Sequence, residues 1–154
     1  MEYLIVKWLH VLSSTFLFGT GVGTAYFLFF ISRTREPTVI AAVAARVVKA
    51  DWLFTATTVI AQPLTGWYLM QLSGASLSQF WLRWSVLLFG LAVICWLPVI
   101  ALQMRLRDLA AQAARNGQAL PPAYDRCMRC WVALGVPAAA ALVAVFYLMV
   151  AKPA

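Results

Sequence analysis

The sequence predicts an all-α fold, an up-down four-helix bundle integral to a membrane, and three observations predict it. Hydrophobic residues make up 64% of the 154-residue chain and charged residues 11%, against about half and a quarter in a soluble domain. A chain this small has too much surface to hide that excess in its own core. The apolar residues also fall into four stretches of the length that crosses a bilayer, about 20 residues each. The third observation is charge asymmetry between alternate loops, which orients the helices.

The first stretch, 3–31, begins almost at Met1 without a basic leader, so it is expected to stay in the protein as a signal-anchor. Lys7, His10, Ser13, Ser14, Gly21 and Thr24 fall broadly on one side of it, by the three- and four-residue spacing that stacks side chains. That stripe should face protein and the Leu, Phe and Val side should face lipid. Gly19-Thr-Gly-Val-Gly23 is no nucleotide fingerprint, because no strand precedes it. Gly19 and Gly23 stand four apart, a spacing suited to close helix packing.

Glu36-Pro37 breaks the chain after Arg33, since proline drives its predecessor out of helical geometry and then suits a first turn. A helix from Thr38 should run on into the second stretch, 52–72, where Pro63 removes a backbone donor. Asp51 opens that stretch, where it is expected to pair with a loop arginine or cap the helix. A loop of turn formers, 73–79, leads to the third stretch, 80–102, which should project into the cytoplasm as far as Arg115 before Asn116-Gly117 stops it. Pro121-Pro122 precedes the last helix, whose apolar part is 131–150. Its Gly135-Val-Pro137 and Ala run offer a smooth surface for close packing. Short connections between successive spans favour antiparallel neighbours.

The two connections expected inside hold Arg33, Arg35, Arg46, Lys49, Arg105, Arg107, Arg115, Arg126 and Arg129; the other regions hold Lys7, Arg83 and Lys152. Basic residues mark the cytoplasmic side. Both termini are therefore expected on the periplasmic side of a bacterial inner membrane. Trp52 and Trp131 start spans at the inner boundary, Trp8, Trp67, Trp81 and Trp84 lie near the outer one, and Trp96 is mid-span. Indole favours the headgroup region. The net charge of +7 belongs to loops beside the spans and predicts no nucleic-acid partner.

His10 is the only histidine and sits about two turns inside the first helix. An ionisable group within a span is costly enough to warrant a functional hypothesis. One reading is a neutral imidazole bonded to Ser14 or to a neighbouring helix. The other makes His10 the ligand of a metal or haem, since neutral imidazole binds both. The topology places Gln62, Met70, Arg83, Trp84, Tyr147 and Met149 in the same leaflet. Lys7 and Arg83 would then suit propionates, a methionine such as Met149 could complete the coordination, and Tyr147 could supply a polar handle. Arg83 also suits a headgroup, to which long cationic side chains reach. Cys127-Met-Arg-Cys130 lacks the further ligands of a zinc site and the histidine of a c-type haem site, and reads as two ordinary thiols. Cys95 reads as a core residue. No nucleophile–base pair, phosphate loop or carboxylate dyad is present.

Lys7-Trp-Leu-His10, Asp51-Trp-Leu-Phe54, Gln62-Pro-Leu-Thr-Gly66, Trp81-Leu-Arg-Trp84 and Leu97-Pro-Val99 together resemble a bacterial family of small four-span integral membrane proteins of unknown function, over nearly the whole chain. More distantly, the Lys-x-Leu-His start and the Thr-Gly of the second span are similar to the HemJ-type protoporphyrinogen oxidases. That resemblance implies haem b, with His10 as its ligand. The chain departs from it in having no second histidine and in placing Arg83 where that family tends to have lysine. Three functions follow as expectations: a haem-binding redox protein around His10, with Lys7, Ser14, Arg83, Tyr147 and Met149 about the cofactor; a non-catalytic accessory subunit that packs on a second copy or another membrane protein; and a small transporter. In all three the lipid bilayer is the immediate partner.

Overall fold

The structure, a computed structural model, describes residues 1–153. It is all helical: α1 (Glu2–Ser32), α2 (Pro37–Ala50), α3 (Ala56–Ser73), α4 (Phe80–Arg115) and α5 (Pro122–Ala151). A π-helical turn, Asp51–Thr55, joins α2 to α3 without a break, and the residues on both sides of it keep right-handed helical dihedrals. The breaks fall where local chemistry puts them. Pro37 and Pro122 each open a helix in its first turn, where a missing N–H costs nothing. Gly74 and Gly117 take positive φ, 67° and 60°, to end α3 and to follow α4.

Three helices, α1, α4 and α5, are long and apolar enough to cross a membrane. α3 is the exception among the four expected spans. It carries Thr57, Thr58, Gln62 and Thr65 within 18 residues, and so is less apolar than the others.

The buried core lies toward the end of the bundle that carries the α1–α2 and α4–α5 connections. Leu28, Ile40, Ala44, Leu106 and Ala110 are wholly buried there, with Tyr124, Cys127 and Trp131 beside them. α2 packs on α4, and α4 on α5. A buried chain of hydroxyls crosses this core. The Ser32 hydroxyl donates to the Leu28 carbonyl at 2.6 Å, so its one proton is used. Tyr124 must therefore donate to Ser32 Oγ, also at 2.6 Å. Arg35 pairs with Asp125 at the surface nearby.

Away from that end the helices diverge into two pairs. α3 packs mainly on α1, and the start of α4 on the end of α5. The outward faces are apolar: Ile94 is 68% exposed and Leu64 62%. Such contiguous apolar surface calls for lipid rather than water. The small residues do not pack as closely as their spacing suggests. A methyl group built on Gly19, Gly23 or Gly135 would meet nothing within 4 Å. These positions leave room instead of filling it.

Candidate functional site

His10 joins α1 to α3. Its Nδ1 lies 2.7 Å from Thr65 Oγ1. Thr65 Oγ1 also lies 2.7 Å from the Ala61 carbonyl, one turn back on its own helix. Two short contacts need two protons, and a threonine hydroxyl has one. The hydroxyl donates to the carbonyl, the usual bond for a threonine within a helix. The imidazole supplies the other proton, so Nδ1–H donates to Thr65. In the neutral ring Nε2 then carries the free lone pair. Among the described residues no hydrogen bond reaches it.

The ring is held from below as well. Its Cε1 stands 3.4 Å from where a Cβ would sit on Gly66. Gln62 Nε2 donates to the His10 carbonyl at 2.9 Å and to Ser13 Oγ at 2.5 Å. Ser13 in turn donates to the His10 carbonyl at 3.0 Å. Gln62 is buried, although a glutamine in a span is costly, because both of its donors are used.

Of the residues expected around a cofactor, the structure gathers few at the ring. Ser14 donates to the Val11 carbonyl of its own helix and not to His10. The neighbouring helix, through Thr65, takes the role offered to Ser14. The Lys7 ammonium lies over the Tyr3 ring, 5.7 Å from its centroid. Tyr147 is 68% exposed. Arg83 is exposed and Met149 half-buried, both on the α4–α5 side of the molecule. The imidazole is oriented by a bond at one ring nitrogen and keeps the other free, the arrangement by which a histidine is readied for a ligand. The expected propionate and thioether partners are not assembled about it. Groups of three or more His, Cys, Asp or Glu side chains that could hold a metal ion do not occur among the described residues.

Thr65 and Ser13 complete the site, and neither stood out as a partner of His10 in the sequence. The usable signal was the run Gln62-Pro-Leu-Thr-Gly66: residues 62, 65 and 66 share one face of a helix.

Asp51 departs from both roles expected of it. Among the described residues its carboxyl makes neither a capping bond nor an arginine pair; it is buried in the π turn and accepts a bond from Thr55 at 3.0 Å. Thr24 of α1 and Gln103 of α4 also face its carboxyl. The Gln103 carbonyl oxygen is buried with no partner. Cys127 is buried with Sγ 3.6 Å from the Leu102 carbonyl, Cys130 is exposed, and both are free thiols.

A larger cavity, about 400 Å³, lies between α1, α4 and α5, with Thr55 and Val59 contributing from the joined helix. It begins at Leu17 on α1 and does not include His10.

Residues 4–153 match the family described as predicted integral membrane protein (DUF2269). No curated protein and no solved structure matches the chain.

Proposed function

We propose, from the premise that the chain belongs to this family of predicted integral membrane proteins, that it crosses a bacterial inner membrane four times with both termini periplasmic. We propose further that His10 is its ligand-presenting group, with haem b as the ligand. The observation that carries the second part is the spare Nε2, set free because Thr65 already spends its proton on Ala61. A fourth crossing is supported by the continuous helical run from Pro37 to Ser73, about 55 Å long at 1.5 Å per residue. The concentration of basic residues in the connections after α1 and α4 supports the orientation.

Haem would supply one-electron chemistry when bound. The chain's own part is to hold the imidazole in one tautomer, on a helix pinned by Gln62 and Thr65, within an apolar environment. The test is an absorption spectrum of protein purified in detergent from haem-replete cells. A Soret band is expected, lost in His10→Ala. Thr65→Val keeps the ring but removes the acceptor at Nδ1, and should weaken haem retention about 10- to 100-fold. A colourless wild-type protein refutes the reading.

A second reading, a non-catalytic accessory subunit, is favoured by Gly19 and Gly23. Their surface stands open, with the four-residue spacing that admits a helix of another chain. Gly19→Leu would then abolish a cross-linked oligomer or complex while leaving the monomer folded; unchanged cross-linking would remove this reading.

A further inference from the structure

The cavity between α1, α4 and α5 has the shape of a slot. On α5 it runs from Trp131 to Leu142 and on α1 from Phe29 to Leu17, which at 1.5 Å per residue is about 16–18 Å along the helices. Small residues create it, for Gly21 and Gly135 both line it and neither has an atom within 4 Å of a built Cβ. Its rim is open: Val22 and Tyr26 on α1 and Val136 on α5 are exposed lining residues. Between those two helices Phe18 and Phe146 meet edge to face, with centroids 5.4 Å apart. The slot therefore faces lipid sideways. A cavity with apolar walls stays dry and takes apolar ligands.

The lining is almost wholly apolar, and its few polar groups are those of Tyr26, Thr55, Trp96 and Trp131. Trp131 is 5% exposed, and its indole N–H is buried without a partner. A buried donor left unmet is destabilising, and a ligand acceptor would relieve it. Trp131 closes the inner end of the slot, just after Arg126 and Arg129, at the boundary of the apolar stretch. Ester carbonyls of the inner leaflet lie at such a boundary. Directly on the cytoplasmic side is a second cleft, lined by Phe29, Ser32, Arg33, Arg35, Tyr124 and Asp125. Phe29 belongs to both cavities. The Arg33 guanidinium lies over the Phe29 ring at 5.7 Å and forms no described ion pair, whereas Arg35 is held by Asp125. Basic pockets between helices on the cytoplasmic side suit lipid phosphates.

We infer that these two cavities form one binding site for a phospholipid of the inner leaflet. One acyl chain fills the slot, its ester carbonyl accepts the Trp131 N–H, and its phosphate meets Arg33.

The test uses the full chain in vesicles that contain phosphatidylglycerol carrying a photoactivatable acyl chain, with cross-links mapped by mass spectrometry. The expected result is labelling concentrated on the lining residues of α1 and α5. Gly135→Leu fills the slot from a position with free space and should cut that labelling at least fivefold. Trp131→Phe keeps the ring and removes the donor; it should weaken retention about fivefold, the effect of one hydrogen bond. Arg33→Gln, on an exposed side chain, should abolish preference for phosphatidylglycerol over phosphatidylcholine, with helicity unchanged by circular dichroism. Labelling spread evenly over the outward faces and equal in Gly135→Leu would mean annular lipid only, and overturns the inference. So would stoichiometric retention of a free isoprenoid, in place of a phospholipid, in the slot.

Discussion

Removing the acceptor beneath His10 isolates one of the bonds that tie α1 to α3. Thr65→Val preserves shape and deletes the hydroxyl. Three contacts are affected in the structure: His10 Nδ1 to Thr65 Oγ1 at 2.7 Å, and Thr65 Oγ1 to the carbonyls of Ala61 at 2.7 Å and Gln62 at 3.3 Å. The last two lie within α3, whose carbonyls keep their helical bonds. Only the first joins two helices. Hydrogen bonds between membrane helices are worth about 0.6 kcal/mol on average and at most about 1.7. This one is short, and its loss leaves an imidazole N–H facing a methyl group, so a value near the upper end, about 1.5 kcal/mol, is expected. A double-mutant cycle of Thr65→Val with His10→Ala removes the packing of the ring on Gly66 from the comparison. The measurement is unfolding in mixed detergent micelles, followed by circular dichroism. Coupling of about 1 kcal/mol or more supports the His10–Thr65 bond. Coupling within about 0.3 kcal/mol of zero would refute it, since the two side chains would then hold no hydrogen bond.

Other outcomes follow from the same geometry. Tyr124→Phe removes the donor to Ser32 in the buried core and should cost about 1 kcal/mol, read in the same unfolding assay; no loss would mean that the phenol is not the donor. Leu106→Ala, at a wholly buried position, should cost about 2–5 kcal/mol, whereas Arg35→Ala breaks a surface pair and should cost under about 1 kcal/mol. In a variant lacking the three native cysteines, Ser76→Cys should react with a membrane-impermeant maleimide in intact cells and Asn116→Cys only after lysis; the reverse pattern would invert the proposed orientation.

The punctuation of the fold was legible in the sequence because it is local. Glu36-Pro37, Asn116-Gly117 and Pro121-Pro122 act on their own backbone, and the helices begin and end at them. Partners distant in sequence were not legible. Asp51 finds Thr24 and Gln103 rather than an arginine, because the π turn and two packed helices deliver them. Ser14 lies one turn from His10 and so looked like its partner, yet a hydroxyl on a helix readily turns to its own carbonyl, as Ser14 does. The glycines were the subtlest case. Gly135 reads as a residue for tight packing, and whether it marks a seam or a void depends on the angle between helices. Sequence spacing does not encode that angle.

The π turn has one further consequence. A five-residue stretch wound more loosely than its flanks shifts the azimuth of everything beyond it. α2 can thus offer its apolar stripe to α4 while α3, the same rod continued, turns its polar face to α1. A deletion of one residue within 51–55 would rewind that joint and swing Gln62 and Thr65 away from the imidazole, leaving every side chain present and the clasp unlatched.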